Sequence, residues 1–183
     1  MSNKKFIESI PVGPLAIVAL PGSKALGDKV DAYISGWRSE RLEAKESPIT
    51  FKGYVKDSYL LNVSVPRFGT GEAKCALKDT VRGCDLYIID DVTNHSIEYT
   101  VCGQKNHMSP DDHYADIKRV IAAASGKARK ITVIMPFLYE SRQHRRSSRE
   151  SMDCAVMLQE LVNMGVDNII TFDAHDPRVN NAI

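Results

Sequence analysis

Hydrophobic positions along the chain fall into short blocks, some continuous and some spaced at helical intervals. LAIVAL over residues 15–20 is an unbroken apolar run that stops at Pro21 and Gly22, the pattern of a strand buried on both faces. Leu26, Val30, Tyr33, Ile34 and Trp37 follow at helical spacing and predict a helix over residues 24–37. Residues 39–57 are polar and predict a loop, and residues 1–14 read as an irregular leader. Apolar runs at 59–65 and 84–89 predict further strands, joined through a loop holding Gly69 and Gly71 and a turn at Arg82 and Gly83.

Residues 92–108 carry the least pattern, and the stretch 92–113 is expected to be an irregular insertion. Ser109, Pro110, Asp111 and Asp112 then give a helix start: a cap, a proline at the first position and acids in the first turn. Tyr114, Ile117, Val120, Ile121 and Ala124 line one face of that helix, and Gly126 ends it. In the last third, ITVIM at 131–135 predicts a strand, residues 149–164 a helix stopped by Gly165, and NIITF at 168–172 a strand. Strand, helix, strand at this spacing is a βαβ unit, so the two strands run parallel. The fold class is α/β, a mostly parallel sheet flanked by helices, with residues 1–183 forming a single domain.

Composition narrows the function classes. At 183 residues and 20.3 kDa the chain holds one sizeable core. Lys and Arg total 24 against 23 Asp and Glu, so a net charge of +1 gives no global attraction to nucleic acid or anionic membranes. No apolar stretch approaches a membrane span, and Glu8, Pro11 and Pro14 interrupt what would be a signal peptide, so a cytoplasmic protein is expected. Cys75, Cys84, Cys102 and Cys154 form no C-x-x-C pair and read as reduced, mostly buried thiols.

In open parallel sheets ligands bind beyond the carboxyl ends of the strands. Two segments lie there. After the 131–135 strand comes a loop with Arg142, Gln143, His144, Arg145, Arg146 and Arg149, and after the 168–172 strand come Asp173 and His175. Parallel strands bring both to the same edge. Guanidinium forks match phosphate oxygens, and an Asp-x-His pair in extended chain projects to one side, where it is placed to share a divalent cation. Together they suggest a metal–polyphosphate site. An arginine-rich stretch is equally the mark of a solvated loop, and Asp-x-His serves as often as a structural hydrogen-bond pair; the residues alone leave both readings open. His95, Cys102, His107 and His113 lack regular zinc-ligand spacing. Residues 68–72 are no dinucleotide fingerprint, and residues 22–29 miss a P-loop because the lysine falls one residue late and Ser/Thr is absent. An RNA- or DNA-binding role for 142–149 lacks both net charge and interleaved aromatics.

At these residues the sequence resembles ribose-phosphate pyrophosphokinase (phosphoribosyl pyrophosphate synthetase), over the N-terminal half of that enzyme. LPGS at 20–23, RFGTGE at 67–72, VRGCDLYII at 81–89 and the span 131–175 carry the resemblance in order. It implies a phosphoribosyltransferase-like fold and transfer of diphosphate from ATP to the 1-hydroxyl of ribose 5-phosphate with Mg²⁺, releasing AMP, in nucleotide biosynthesis. By position it implies that Phe68, Thr70, Glu72, Arg142, Gln143 and His144 bind ATP, with Glu72 reaching the nucleotide of a neighbouring subunit. It implies that Asp173 and His175 stand at the metal, and it assigns no catalytic residue within this stretch. Partners implied are ATP, ribose 5-phosphate and identical subunits in a hexamer, with neither nucleic acid nor membrane. The family usually has an acid where this chain has Thr70, and Arg-Gln-Asp where it has Arg142, Gln143 and His144. Those departures admit a non-catalytic regulatory or associated subunit of the same fold as the alternative. The family's ribose-phosphate-binding and flexible catalytic loops lie in its second domain, so the 183 residues by themselves are expected to be inactive.

Overall fold

The computed structural model describes residues 11–44, 53–176 and 178–179. Most of the predicted leader, residues 1–10, lies outside that range, as do residues 45–52 of the predicted loop. Four strands form the central parallel sheet in the order β1 (Leu15–Ala19), β4 (Asp85–Ile89), β7 (Lys130–Ile134), β8 (Asn168–Ile170). Ala19, Ile89, Ile134 and Ile170 stand in one register row, so all four carboxyl ends open on one edge.

Alternation along the strands splits the core in two. Ala16, Val18, Leu86, Ile88, Ile131 and Val133 face the larger cluster, built with α2 (Pro110–Ala124) and α3 (Asp153–Asn163). Ile17 and Ile89 face the opposite side, where α1 (Lys24–Glu43) packs Leu26, Val30 and Ile34 against them. Each fully buried aliphatic here stabilises the fold by about 1.5–3 kcal/mol. Helix α2 starts as its sequence predicts: the Ser109 side chain accepts from the Asp112 N–H while Asp112 accepts from the Ser109 N–H, and every residue of the predicted apolar face is buried.

Several expectations are corrected. Helix α1 runs to Glu43, six residues past Trp37, because Arg38 to Glu43 are good helix formers that carry no apolar stripe. Tyr33 and Trp37, expected on its inner face, are 73% and 43% exposed. The strand predicted at 59–65 reduces to a bridge between Leu60 and Ile17 and to the two-residue β2 (Val63–Ser64), which pairs with β3 (Ala76–Leu77). Helix α3 begins at Asp153 rather than near 149. Ser147 bonds Glu150, and Ser151 bonds Asp153, holding the preceding residues in turns that compete with helix. Cys102 is exposed, unlike Cys84 and Cys154.

The stretch 92–113 is not irregular. It holds the antiparallel hairpin β5 (Glu98–Val101) and β6 (Gln104–His107), followed by the first turn of α2. Cys102 (φ 49) and Gly103 (φ 81) make the tight turn, both in the left-handed region that a two-residue hairpin turn demands. Alternation is confined to Tyr99 and Val101 of β5, and all of β6 is polar and exposed, too short a pattern to declare a strand pair.

Candidate functional site

Two of the three strand junctions at the carboxyl edge of the sheet carry polar side chains, and they differ in chemistry. The first lies between β1 and β4. Beyond β1 the chain crosses to Leu60 on one side, whereas beyond β4 it crosses to β7 on the other, so strand order reverses here. This gap is plugged. His113 from α2 places Nδ1 2.9 Å from Asp90 Oδ2 and Nε2 2.9 Å from the Asn94 carbonyl, and Asn94 Nδ2 donates to the Gly22 carbonyl at 2.8 Å. A carbonyl only accepts, so Nε2 carries a proton, and one further proton is shared between Nδ1 and Asp90. Burial lifts the Asp90 carboxyl above its usual range against the pull of His113. Burial alone would lower His113, but the hydrogen bond and charge of Asp90 outweigh it and raise the imidazole. Both side chains are inaccessible, so neither is available for acid–base chemistry.

The second, where the chain leaves β7 and β8, is an exposed polar rim whose two segments stay paired. Beyond β7 the chain continues in step with β8: Phe137 bridges Asp173 in parallel, and the Leu138 N–H donates to the Asp173 carbonyl at 3.0 Å. Buried Ser141 then accepts the His175 N–H on its Oγ at 3.2 Å, which ties the arginine loop to the Asp-x-His segment. The Gln143 carbonyl accepts the Cys154 N–H at 3.3 Å, and Gln143 Nε2 donates to the Ser151 carbonyl at 2.8 Å. His144 Nε2 lies 3.3 Å from Asp176 Oδ2, within ion-pair reach although not aligned for a hydrogen bond, and its ring stands 6.0 Å from that of His175. Hydrogen bonds from the Arg178 side chain and N–H, helped by the charges of Arg178 and His144, hold the Asp176 carboxyl well below its usual range.

Arg142, Arg145, Arg146 and Arg149 are exposed and form no ion pair among the described residues. Four cations within one loop, with no carboxylate against them, leave positive charge for an anion. Arg142 also lines a cleft of about 360 Å³, between the chains leaving β4 and β7, with Thr93, His95, Phe137, Tyr139 and Glu140. The neighbouring cleft of about 440 Å³ is lined by Asp111, Glu140, Asp153 and Glu160, with Lys118 the lone basic residue on its wall. Burial, Asp153 and Asp111 raise the Glu140 carboxyl, so that cleft is unsuited to phosphate. A further cleft, of about 550 Å³, lies beside β1 among Leu60, Leu61, Val63 and Val65, and no arginine lines it.

Asp173 and His175 are both exposed beside this loop. Among the described residues no group of three His, Cys, Asp or Glu side chains is disposed to hold a metal ion. Of the pair, Asp173 offers the oxygen donors that a hard cation would take, with phosphate oxygens and water filling its other positions.

Phe68, Thr70 and Glu72 sit elsewhere, on an exposed turn between β2 and β3. Thr70 Oγ1 donates to Glu72 Oε2 at 2.9 Å. Among the described residues no hydrogen bond, ion pair or ring contact joins this turn to residues 142–144 or 173–175. Asp176, Ser141 and the Asp90–His113 pair were missed by sequence reasoning. Asp176 was within reach as the fourth member of Asp-x-His-Asp, and His113 sits one residue before Tyr114 at the start of an apolar helix face; Ser141 gives no signal of its own.

Among the described residues no helix is long and apolar enough to cross a membrane. The family model described as the N-terminal domain of ribose phosphate pyrophosphokinase matches residues 15–165, stopping short of Asp173 and His175. The ribose-phosphate pyrophosphokinase of Oceanobacillus iheyensis is 27% identical over 118 residues, 63% of this chain and 33% of that protein. That of Haemophilus ducreyi is 31% identical over 120 residues, 64% of this chain and 34% of that protein. The chain's matched region thus spans about a third of these relatives. The crystal structure of phosphoribosylpyrophosphate synthetase from Mycobacterium smegmatis superposes with a TM-score of 0.65 at 18% identity, covering 92% of this chain and 45% of that one, a likeness of fold.

Proposed function

The chain belongs to the family of the N-terminal domain of ribose phosphate pyrophosphokinase, and from that premise we propose that it supplies the nucleotide-binding side of a ribose-phosphate diphosphokinase. In the proposed reaction the 1-hydroxyl oxygen of ribose 5-phosphate attacks the β-phosphorus of ATP. The bond from β-phosphorus to the α,β-bridging oxygen breaks, AMP leaves with that oxygen, and the hydroxyl proton passes to solvent. Such a step needs alignment and charge neutralisation more than covalent help.

The observation that carries this reading is the β7–β8 rim, where exposed arginines without ion pairs among the described residues and the Asp173–His175 segment share one edge through the Phe137–Asp173 bridge. Arg142 would bind phosphate oxygens, with Gln143 and His144 beside it, and Asp173 and His175 would hold Mg²⁺ against the same oxygens. Mg²⁺ supplies charge neutralisation at the phosphates when bound. Phe68, Thr70 and Glu72, which share no hydrogen bond, ion pair or ring contact with that edge among the described residues, would meet the nucleotide of a neighbouring copy in a homo-oligomer. The setting is cytoplasmic nucleotide biosynthesis, and the 183 residues by themselves would form no phosphoribosyl pyrophosphate. AMP release from ATP and ribose 5-phosphate by the purified chain would refute that last point.

A second reading, a non-catalytic associated subunit, draws on Thr70 turned onto Glu72 and His144 held at Asp176. Calorimetric titration with MgATP separates the two: binding that Arg142→Ala abolishes supports the nucleotide site, and no binding supports the associated subunit.

A further inference from the structure

The turn that carries Phe68, Thr70 and Glu72 has an exposed exterior and a fixed backbone. Arg67 bridges Ala73 in antiparallel register, the Phe68 N–H donates to the Glu72 carbonyl at 2.7 Å, and the Gly71 N–H returns to the Phe68 carbonyl at 2.9 Å. Phe68 itself is 50% exposed, and Thr70 and Glu72 point outward with it.

What holds this turn is the β5–β6 hairpin, to which no role is otherwise attached. At the tip, the Cys102 N–H donates to the Gly69 carbonyl at 2.9 Å. Val101 packs so near Gly71 that a Cβ there would meet Val101 Cγ2 at 3.1 Å, and Gly71 already adopts φ +94. At the base, Arg67 stacks 4.8 Å over the Tyr99 ring and donates from Nη2 to Asp116 Oδ2 at 2.8 Å, with Nη1 3.7 Å from Asp112. Tyr99 donates its hydroxyl to Asp112 at 3.1 Å, closing a loop from turn to hairpin to α2. Arg67 is largely buried in this network, so its ion pairs are shielded as exposed pairs are not.

We infer that the Glu98–His107 hairpin is a positioning splint: it fixes turn 67–73 in the conformation that presents Phe68, Thr70 and Glu72 to a nucleoside polyphosphate. This rests on the function proposed above for those residues. A preorganised turn binds without first losing conformational entropy, so freeing it weakens the ligand without removing any contact residue.

The test breaks the tip and then restores it. Cys102→Pro removes the N–H and cannot adopt φ 49, whereas Cys102→Gly keeps the N–H and suits that φ. Amide hydrogen exchange is followed at Phe68 and Gly71, with Val18 and Ile88 of the central sheet as internal controls, and MgATP affinity is measured by calorimetry. Cys102→Pro is expected to speed exchange at Phe68 and Gly71 by about tenfold or more while the sheet amides hold steady. It should also weaken MgATP as much as Phe68→Ala does, with no further loss in the double variant, and Cys102→Gly should restore both. Unchanged exchange at Phe68 and Gly71, or faster exchange throughout the sheet, overturns the splint. Phe68→Ala without effect while Arg142→Ala weakens MgATP overturns the splint's link to the ligand and leaves the arginine edge standing. No effect of either variant refutes the function proposed for the site, and the exchange data still decide whether the hairpin holds the turn.

Discussion

The two polar junctions at the carboxyl edge of one sheet have opposite fates. The β1–β4 gap, where strand order reverses, is sealed by a buried Asp90–His113 pair and the Asn94–Gly22 bond. The β7–β8 junction, two further along the sheet, stays paired through its backbone and carries on its rim exposed arginines that form no ion pair among the described residues. Topology therefore selects the edge, and the side chains select the junction. A charge buried against a partner builds structure; a charge left exposed and unpaired is available to a ligand.

The sharpest way to break this contrast is to unpair the plug. His113→Ala leaves the Asp90 carboxyl buried without its partner and should lower unfolding free energy by about 3–5 kcal/mol in urea titration. A loss within experimental scatter would mean that the β1–β4 gap is hydrated rather than sealed. Gly22→Ala probes the same plug sterically, because the added Cβ would stand 2.5 Å from Asp90 Oδ1 and 2.8 Å from His113 Cε1. Overpacking of this kind should cost about 1–3 kcal/mol. Ser109→Ala removes the capping oxygen at the start of α2, outside both junctions, and should cost about 1 kcal/mol. At the β7–β8 rim, Arg145→Ala and Arg146→Ala should alter stability by no more than about 0.5 kcal/mol, since those side chains are exposed and form no ion pair among the described residues.

Acidity sharpens the same comparison. His113 faces Asp90 and the Asn94 carbonyl, with Asp116 on its own helix adding negative charge and Asp91 acting on Asp90. Folding raises His113 above its ordinary 6.5, so its contribution is complete below that pH and is lost as pH rises through the folded-state value. Asp90, also raised, acts in the same direction from its ordinary 3.8 upward. The plug should therefore loosen toward alkaline pH, read as a falling urea midpoint above about pH 6.5. A rising midpoint there would contradict the shared proton.

Where burial is periodic, the chain declares itself. Leu15–Ala19, Asp85–Ile89 and the apolar face of α2 are readable because each repeats apolar residues at the spacing of its element. The end of α1 and strand β6 are not readable, because their residues are mostly exposed, and β5 offers only Tyr99 and Val101 as a half-buried alternation, too short to register. The site divides the same way. Arg142, Asp173 and His175 are legible from strand direction, since parallel neighbours must deliver their loops to one edge. Asp176 meeting His144, and Ser141 holding the His175 N–H, depend on turn geometry that no spacing rule supplies. That Phe68 and Glu72 lie apart from Arg142 could be learned only from the fold.

The central claim is that the β7–β8 edge binds a magnesium–nucleotide polyphosphate through Arg142. Calorimetric titration of MgATP into the wild-type chain and into Arg142→Ala, at matched ionic strength, tests it most directly. Loss of a charge-assisted phosphate contact predicts binding weaker by about 10- to 100-fold in the variant with an unchanged urea midpoint. Equal affinity in the two proteins would contradict the claim and return the arginine loop to a solvated surface.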